Sequence, residues 1–199
     1  MSKKIVITGG LGYIGTELCK IYSGVSWNNE ILVIDNRFAS ERVSQLRNWG
    51  IDFVHGDILD KDLVNKYCKD ADIVHHLAGI TDVPRTKKES TNEKDDKIRL
   101  VAEEGTQNIL DAIKKKCKII FPSTHVVYEG IEKVKNDILE DENTKPILSY
   151  ANSKATNEKQ FSKKDSALYQ CELYQLNSHK LILILILYNF FQNFLIAFH

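Results

Sequence analysis

The chain has no surplus of either charge: lysine plus arginine number 27 and aspartate plus glutamate number 27. Without a net field it attracts neither a nucleic-acid duplex nor an anionic membrane, and neither is expected as a partner. Paired cysteines are also missing. Cys19, Cys68, Cys117 and Cys171 stand far apart with no C-x-x-C among them, which argues against a zinc knot, a redox motif and a disulfide framework, and leaves reduced, mostly buried thiols. No long apolar run follows Lys3 and Lys4, because Ile5, Val6 and Ile7 give way at once to Thr8-Gly9-Gly10. That is too short for the core of a secretory signal, so a cytoplasmic location is expected. No internal repeat or low-complexity linker interrupts the chain, and 199 residues with 43% hydrophobic content suit one good core.

What the chain does contain is alternation. Short β-branched runs at Lys4–Thr8, Ile31–Asp35, Asp52–His55, Asp72–His76 and Lys118–Phe121 are nearly continuous in apolar residues, as strands covered on both faces should be. Between them, Tyr13–Ile21, Ser40–Trp49, Asp60–Cys68 and Asp95–Lys115 place apolar residues at helical spacing. The order predicts an α/β fold, a doubly wound parallel sheet with right-handed crossovers. The polar stretch Glu129–Lys145 reads as a solvated loop before a further helix carrying Tyr150.

Four glycines crowd the octet TGGLGYIG, Thr8 to Gly15, where the first strand ends. Glycine costs backbone entropy and contributes no packing, so the density needs a reason. A tight turn alone is one explanation. A phosphate cradle is the better one: in an open parallel sheet, a loop running straight into a helix offers free amides and the positive end of the helix dipole. Gly9 then serves the turn, Gly12 lets a pyrophosphate approach, and Gly15 lets the helix pack closely on the strand; Tyr13 and Ile14, at the junction with the helix, join the cofactor set. Asp35 ends the second strand 20 residues beyond Gly15, placed to accept the hydroxyls of an adenosine ribose and to repel a 2′-phosphate. NAD is therefore expected over NADP, with Arg37 as the one nearby group able to accept a phosphate.

Tyr150 and Lys154 are four apart on a helix, which stacks them on one face. Of the eight tyrosines only Tyr150 has lysine four residues on. A surface pair on a lysine-rich helix is the bland reading. The chemical one is that the ammonium, with oxidised nicotinamide adding further positive charge, lowers the phenol pKa and makes Tyr150 a general base, with Thr124 at the end of the fifth strand sharing its hydrogen bonds. His75 and His76 end a buried strand with no third ligand evident, so no metal is expected.

The ordered motifs resemble the short-chain dehydrogenase/reductase superfamily, specifically its extended, NAD-dependent nucleotide-sugar epimerase and dehydratase branch. They are Thr8-Gly9-x-x-Gly12-x-x-Gly15, Asp35-Asn36, Gly56-Asp57-Ile58, His76-Leu77-Ala78-Gly79, Gly105-Thr106-x-Asn108, Ser123-Thr124-x-x-Val127-Tyr128 and Tyr150-x-x-x-Lys154. The likeness covers about residues 3–162 and implies a Rossmann-type fold binding NAD. By it, Asn36 belongs to the cofactor set, Asp57 and Ile58 contact the adenine, Leu77, Ala78 and Gly79 line the cofactor near the nicotinamide, and Thr124, Tyr150 and Lys154 carry the chemistry.

The implied activity is epimerisation of a nucleotide sugar through a transient ketone. Dehydratase relatives need an Asp-Glu pair directly after the threonine; His125 and Val126 stand there instead, so elimination is disfavoured. The asparagine usual three residues before the Gly-Thr is Ala102. Relatives often pair through the long helix and the Tyr150 helix, which makes a homodimer the expected assembly. An NAD-binding protein without turnover and an NAD(P)H-dependent carbonyl reductase are the alternatives.

Residues 1–164 form the expected NAD-binding domain and 165–199 a divergent apolar tail. Family members continue well over a hundred residues past the Tyr-Lys helix, so the substrate lobe is expected to be largely missing. Leu181–Tyr188, LILILILY, suits a substitute sixth strand; the whole tail is also near the minimum for a membrane span, though Asn189, Gln192 and Asn193 interrupt it. Translation out of frame after a disrupted coding region is the favoured origin, and a membrane anchor the least favoured.

Overall fold

The structure is a computed structural model that describes residues 2–24, 29–81, 91–131, 143–163 and 168–173. Strands β1 (Lys4–Thr8), β2 (Glu30–Asp35), β3 (Asp52–His55), β4 (Ile73–His76), β5 (Lys118–Thr124) and β6 (Leu168–Leu173) alternate with helices α1 (Tyr13–Gly24), α2 (Ser40–Asn48), α3 (Lys61–Cys68), α4 (Asn92–Ala112) and α5 (Ser149–Lys163). A 3-10 turn at His125–Tyr128 follows β5. All neighbouring strands are parallel, in the order β3-β2-β1-β4-β5-β6.

Side-chain alternation along β1 builds both layers. Ile5 and Ile7 point to one face, where with Val33 they bury Leu18, Cys19 and Tyr22 of α1 and Val43 and Leu46 of α2. Val6 points to the other, packing with Ile34, Val64 and Cys68 of α3, Ile109 and Leu110 of α4, and Phe161 of α5. Each of these aliphatic side chains contributes roughly 1.5–3 kcal/mol by leaving water. Because the chain winds from β1 to β3 on one side and from β4 onward on the other, the carboxyl ends of β1 and β4 adjoin, with Thr8 opposite His76. That reversal opens the crevice in which ligands of such sheets sit.

Boundaries differ from the sequence reading where local chemistry overrides periodicity. Helix α4 starts three residues early because Thr91 caps it, its hydroxyl accepting from the Lys94 amide at 3.3 Å, and α3 is capped by Asp60 on Leu63 at 3.0 Å. Strand β5 continues through Pro122 to Thr124. Its partner β4 pairs only as far as Ile120, so proline falls on a stretch bonded from one side alone, by β6. Strand β6 lies in a segment where no strand was expected. Residues 132–142 of the polar loop, the octet Leu181–Tyr188 and the rest of 174–199 lie outside the described residues. Among the described residues no helix is long and apolar enough to cross a membrane, and no cluster of three His, Cys, Asp or Glu could hold a metal. Cys19, Cys68 and Cys117 are buried, and burial pushes Cys19 and Cys68 up to about 12.

Candidate cofactor and catalytic site

The glycine loop is a fitted piece of backbone. Gly9 has φ +71° and donates its amide to Ile34 at 2.8 Å; a Cβ on it would stand 2.6 Å from the Ala78 nitrogen. Left-handed backbone and the approach of the β4 end both demand glycine there. Gly10 is the residue sequence reasoning passed over, since a Cβ would meet Val33 of β2 at 2.5 Å. Gly15 backs onto Gly10, whose Cα a Cβ on Gly15 would meet at 2.5 Å, so its close packing is against the loop rather than the strand. Gly12 donates to the Gly9 carbonyl at 3.0 Å, and α1 starts at the next residue. The amides of Tyr13, Ile14 and Gly15 belong to its first turn and have no acceptor within the helix.

Asp35 is held against this loop. One carboxylate oxygen accepts from the Leu11 amide at 2.9 Å and the other from the Arg37 amide at 2.9 Å, with Arg37 Nε at 3.5 Å. Arg42 of α2 donates to the Leu11 carbonyl, fixing the loop from outside. At the adjoining strand ends, Asn36 donates to Asp57 at 2.9 Å, while Asn108 of α4 donates to the Ile58 carbonyl at 3.0 Å. Gly105 of α4 makes room for the Ile58 side chain, which a Cβ would meet at 2.3 Å. Leu77 donates its amide to the Thr8 carbonyl at 3.0 Å, leading the chain to Ala78 and to Gly79, whose missing Cβ would meet nothing within 4 Å.

A buried polar chain links the two halves. Thr8 Oγ1 shares a proton with His76 Nδ1 at 2.8 Å, His76 Nε2 lies 3.0 Å from Thr106 Oγ1, and Asn157 of α5 donates to Thr106 Oγ1 at 3.0 Å and to the Ala102 carbonyl at 2.9 Å. Burial, aided by the Lys154 charge, lowers His76 to about 3 and keeps it neutral. His75 shares a proton with Tyr22 at 2.7 Å and is lowered to about 3 by burial.

Helix α5 lies against β5 and the 3-10 turn. Lys154 reaches back to donate to the Pro122 carbonyl at 2.9 Å, its nitrogen 4.3 Å from the centre of the Phe121 ring and 5.7 Å from that of Tyr150. One turn on, Glu158 accepts from Ser123. Burial lowers Lys154 to about 8 against the opposing charge of Glu158, and burial raises the phenol of Tyr150. The sequence expectation of a lowered tyrosine pKa is thus reversed in the chain itself, where desolvation of the phenolate is the dominant cause. Thr124, buried at the end of β5, accepts from the Val126 amide at 3.4 Å. Glu129, not anticipated from sequence, accepts both the Ile147 and Leu148 amides, at 2.7 and 2.6 Å, just before α5 begins.

A parallel sheet with a glycine loop at its switch point, and a Tyr-x-x-x-Lys helix beside the fifth strand, defines a dehydrogenase-type dinucleotide fold. The chain belongs to the 3-beta hydroxysteroid dehydrogenase/isomerase family, whose profile matches residues 6–173 and so takes in β6. It is 33% identical over 132 residues to the UDP-N-acetyl-alpha-D-glucosaminuronate decarboxylase of Bacillus cytotoxicus, covering 64% of this chain and 38% of that protein. The dTDP-D-glucose 4,6-dehydratase of Dictyostelium discoideum is 33% identical over 163 residues, covering 75% of this chain and 36% of the relative. Among solved structures, the UDP-glucose 4-epimerase of Brucella ovis in complex with NAD superposes with a TM-score of 0.69 at 27% identity, over 86% of this chain and 51% of that one. The chain therefore spans about half the length of that epimerase and under two fifths of the two sequence relatives.

Proposed function

We propose that the chain binds NAD across the Gly9–Gly15 loop and serves epimerisation of a nucleotide sugar. The residues fit the cofactor: the cradle at Gly12 is bounded by the Gly9 oxygen, only 3.1 Å from where a Cβ would sit, and Asp35 stands behind the loop. Asn36, Asp57 and Ile58 take the adenine end; Leu77, Ala78 and Gly79 take the nicotinamide end. When bound, NAD supplies the acceptor, and then the donor, of the hydride that makes and consumes a keto sugar.

Tyr150 accepts the proton of the sugar hydroxyl and later returns it, Lys154 holds positive charge near the phenol, and Thr124 orients the hydroxyl. The observation that carries this reading is Lys154, anchored on the Pro122 carbonyl beside Tyr150, since a merely solvated lysine would not be drawn inward against the penalty that burial sets on its charge. Valine at position 126 and histidine at 125 leave out the carboxylate pair that elimination needs, which favours epimerase over dehydratase chemistry.

The test is turnover across a panel of UDP- and dTDP-sugars with catalytic NAD. Interconversion is expected, with Tyr150→Phe lowering it on the order of 10²–10⁴-fold. Saturable NADH binding without turnover would favour the non-catalytic alternative, and stoichiometric NADH consumption a carbonyl reductase.

A further inference from the structure

Arg37 is placed where the sequence alone did not put it. Its amide and Nε both face one oxygen of Asp35, at 2.9 and 3.5 Å, yet its side chain is 65% exposed where that of Asp35 is 3% exposed. From that tether the guanidinium turns back over the glycine loop, with Nη2 3.6 Å from the position a Cβ on Gly12 would occupy. A donor fork thus lies beside the amino end of α1, where the helix already presents partial positive charge and unbonded amides. The single acid between them, Asp35, already accepts from the Leu11 and Arg37 amides. Two positive features brought together over a glycine where a Cβ would crowd the Gly9 oxygen at 3.1 Å form a site that an anion completes.

We propose that Arg37 is the side-chain ligand for the diphosphate of the bound dinucleotide, a proposal that rests on the NAD-binding reading. The diphosphate, rather than a 2′-phosphate, is the matching anion because the guanidinium leans over Gly12 and the helix end. Arg37 is then a cofactor-binding residue whose planar fork grips two oxygens at once, a task lysine performs less well.

Calorimetric titration of wild-type protein, Arg37→Gln and Arg37→Lys with NADH, NADPH, ADP and adenosine, at low and high salt, tests the assignment. Arg37→Gln is expected to weaken NADH and ADP by about ten- to a hundredfold, to flatten their salt dependence, and to leave adenosine unchanged. Arg37→Lys should recover only part of the loss. Unchanged NADH and ADP binding in Arg37→Gln would overturn the proposal, as would an equal loss of adenosine, which would mean that Asp35 had merely been unseated. A loss confined to NADPH would reassign Arg37 to a 2′-phosphate and also overturn it. Failure of folded wild-type protein to bind NADH at all would instead remove the cofactor reading beneath it.

Discussion

The ammonium of Lys154 is bonded to the Pro122 carbonyl at 2.9 Å and lies 5.7 Å from the centre of the Tyr150 ring. Attraction at that range is opposed by the burial that raises the phenol and lowers the lysine to about 8. The chain alone therefore keeps Tyr150 protonated at neutral pH, and a cationic nicotinamide is the further charge able to lower it. The expected outcome is that the carbon-13 tyrosine signal missing from Tyr150→Phe stays in its phenol position up to pH 9 in the free protein and titrates lower with NAD⁺. A phenolate signal at pH 8 without cofactor would contradict this balance.

Lysine 154 has its own pH signature. Its folded pKa, about 8, lies below the ordinary 10.5, so between those values the unfolded chain binds the extra proton. Its burial penalty is full below pH 8 and fades as pH rises through the window above it. Urea titrations from pH 7.5 to 9.5 should show Lys154→Met losing a stabilising upward slope that wild-type protein has, while turnover that needs the ammonium declines over the same range. Identical slopes in the two proteins would mean the lysine is hydrated.

Gly9 and Gly79 differ in what surrounds them, and on the proposed reading only Gly79 faces the cofactor. Gly9→Ala forces a side chain into left-handed backbone and into the Ala78 amide, and is expected to cost about 2 kcal/mol or more of stability. Gly79→Ala meets open space, so its melting temperature should match wild type while NADH affinity falls. If Gly79→Ala leaves NADH affinity intact, the β4 end is not a cofactor wall.

How far the sequence foretold these features depended on whether their cause was local. The four interior strands, β1, β2, β4 and β5, were legible because burial on both faces demands nearly unbroken apolar runs such as Lys4–Thr8, and the edge strand β3 from the apolar pair Phe53-Val54. Leu168–Leu173, LYQCEL, mixes polar with apolar residues, and pairing with β5 creates that strand rather than its own pattern. The glycine fingerprint was legible, but the need for Gly10 arises from Val33, 23 residues away, and no spacing rule reports that. The same holds for Asn157 meeting Thr106 and Ala102, contacts made only when α4 and α5 pack. The direction of the Tyr150 shift was misjudged because the lysine four residues on was visible and the depth of burial was not.

Glu129 offers a test of how the Tyr150 helix is set. Its Oε1 accepts the amides of Ile147 and Leu148, and flanking bonds from Gly130 to the Lys145 carbonyl at 2.8 Å and from Lys145 to Val127 at 2.9 Å complete the clasp. Glu129→Ala should lower stability by about 1–2 kcal/mol in urea titrations, whereas Glu129→Gln, which keeps a carbonyl oxygen, should lose less than half of that. Equal losses would assign the effect to charge at the helix start instead of the two hydrogen bonds.

His75 and His76 make the protein acid-sensitive. Both are buried, His75 on Tyr22 and His76 between Thr8 and Thr106, and both are held near pKa 3 by burial. An unfolded imidazole protonates near 6.5, so between about 6.5 and 3 the unfolded state binds the extra protons and stability falls as pH falls. Each pH unit costs up to ~1.4 kcal/mol per imidazole, so two units and two histidines reach ~5 kcal/mol, comparable to the lower end of total domain stability. The urea midpoint should hold above pH 7 and drop steeply between 6.5 and 4.5. His76→Gln, which offers a donor and an acceptor but does not titrate, should start less stable at pH 7 and lose roughly half of the acid slope. Carboxylate protonation would contribute equally to both proteins, so an unchanged slope in His76→Gln would assign acid sensitivity to the acids and not to the imidazoles.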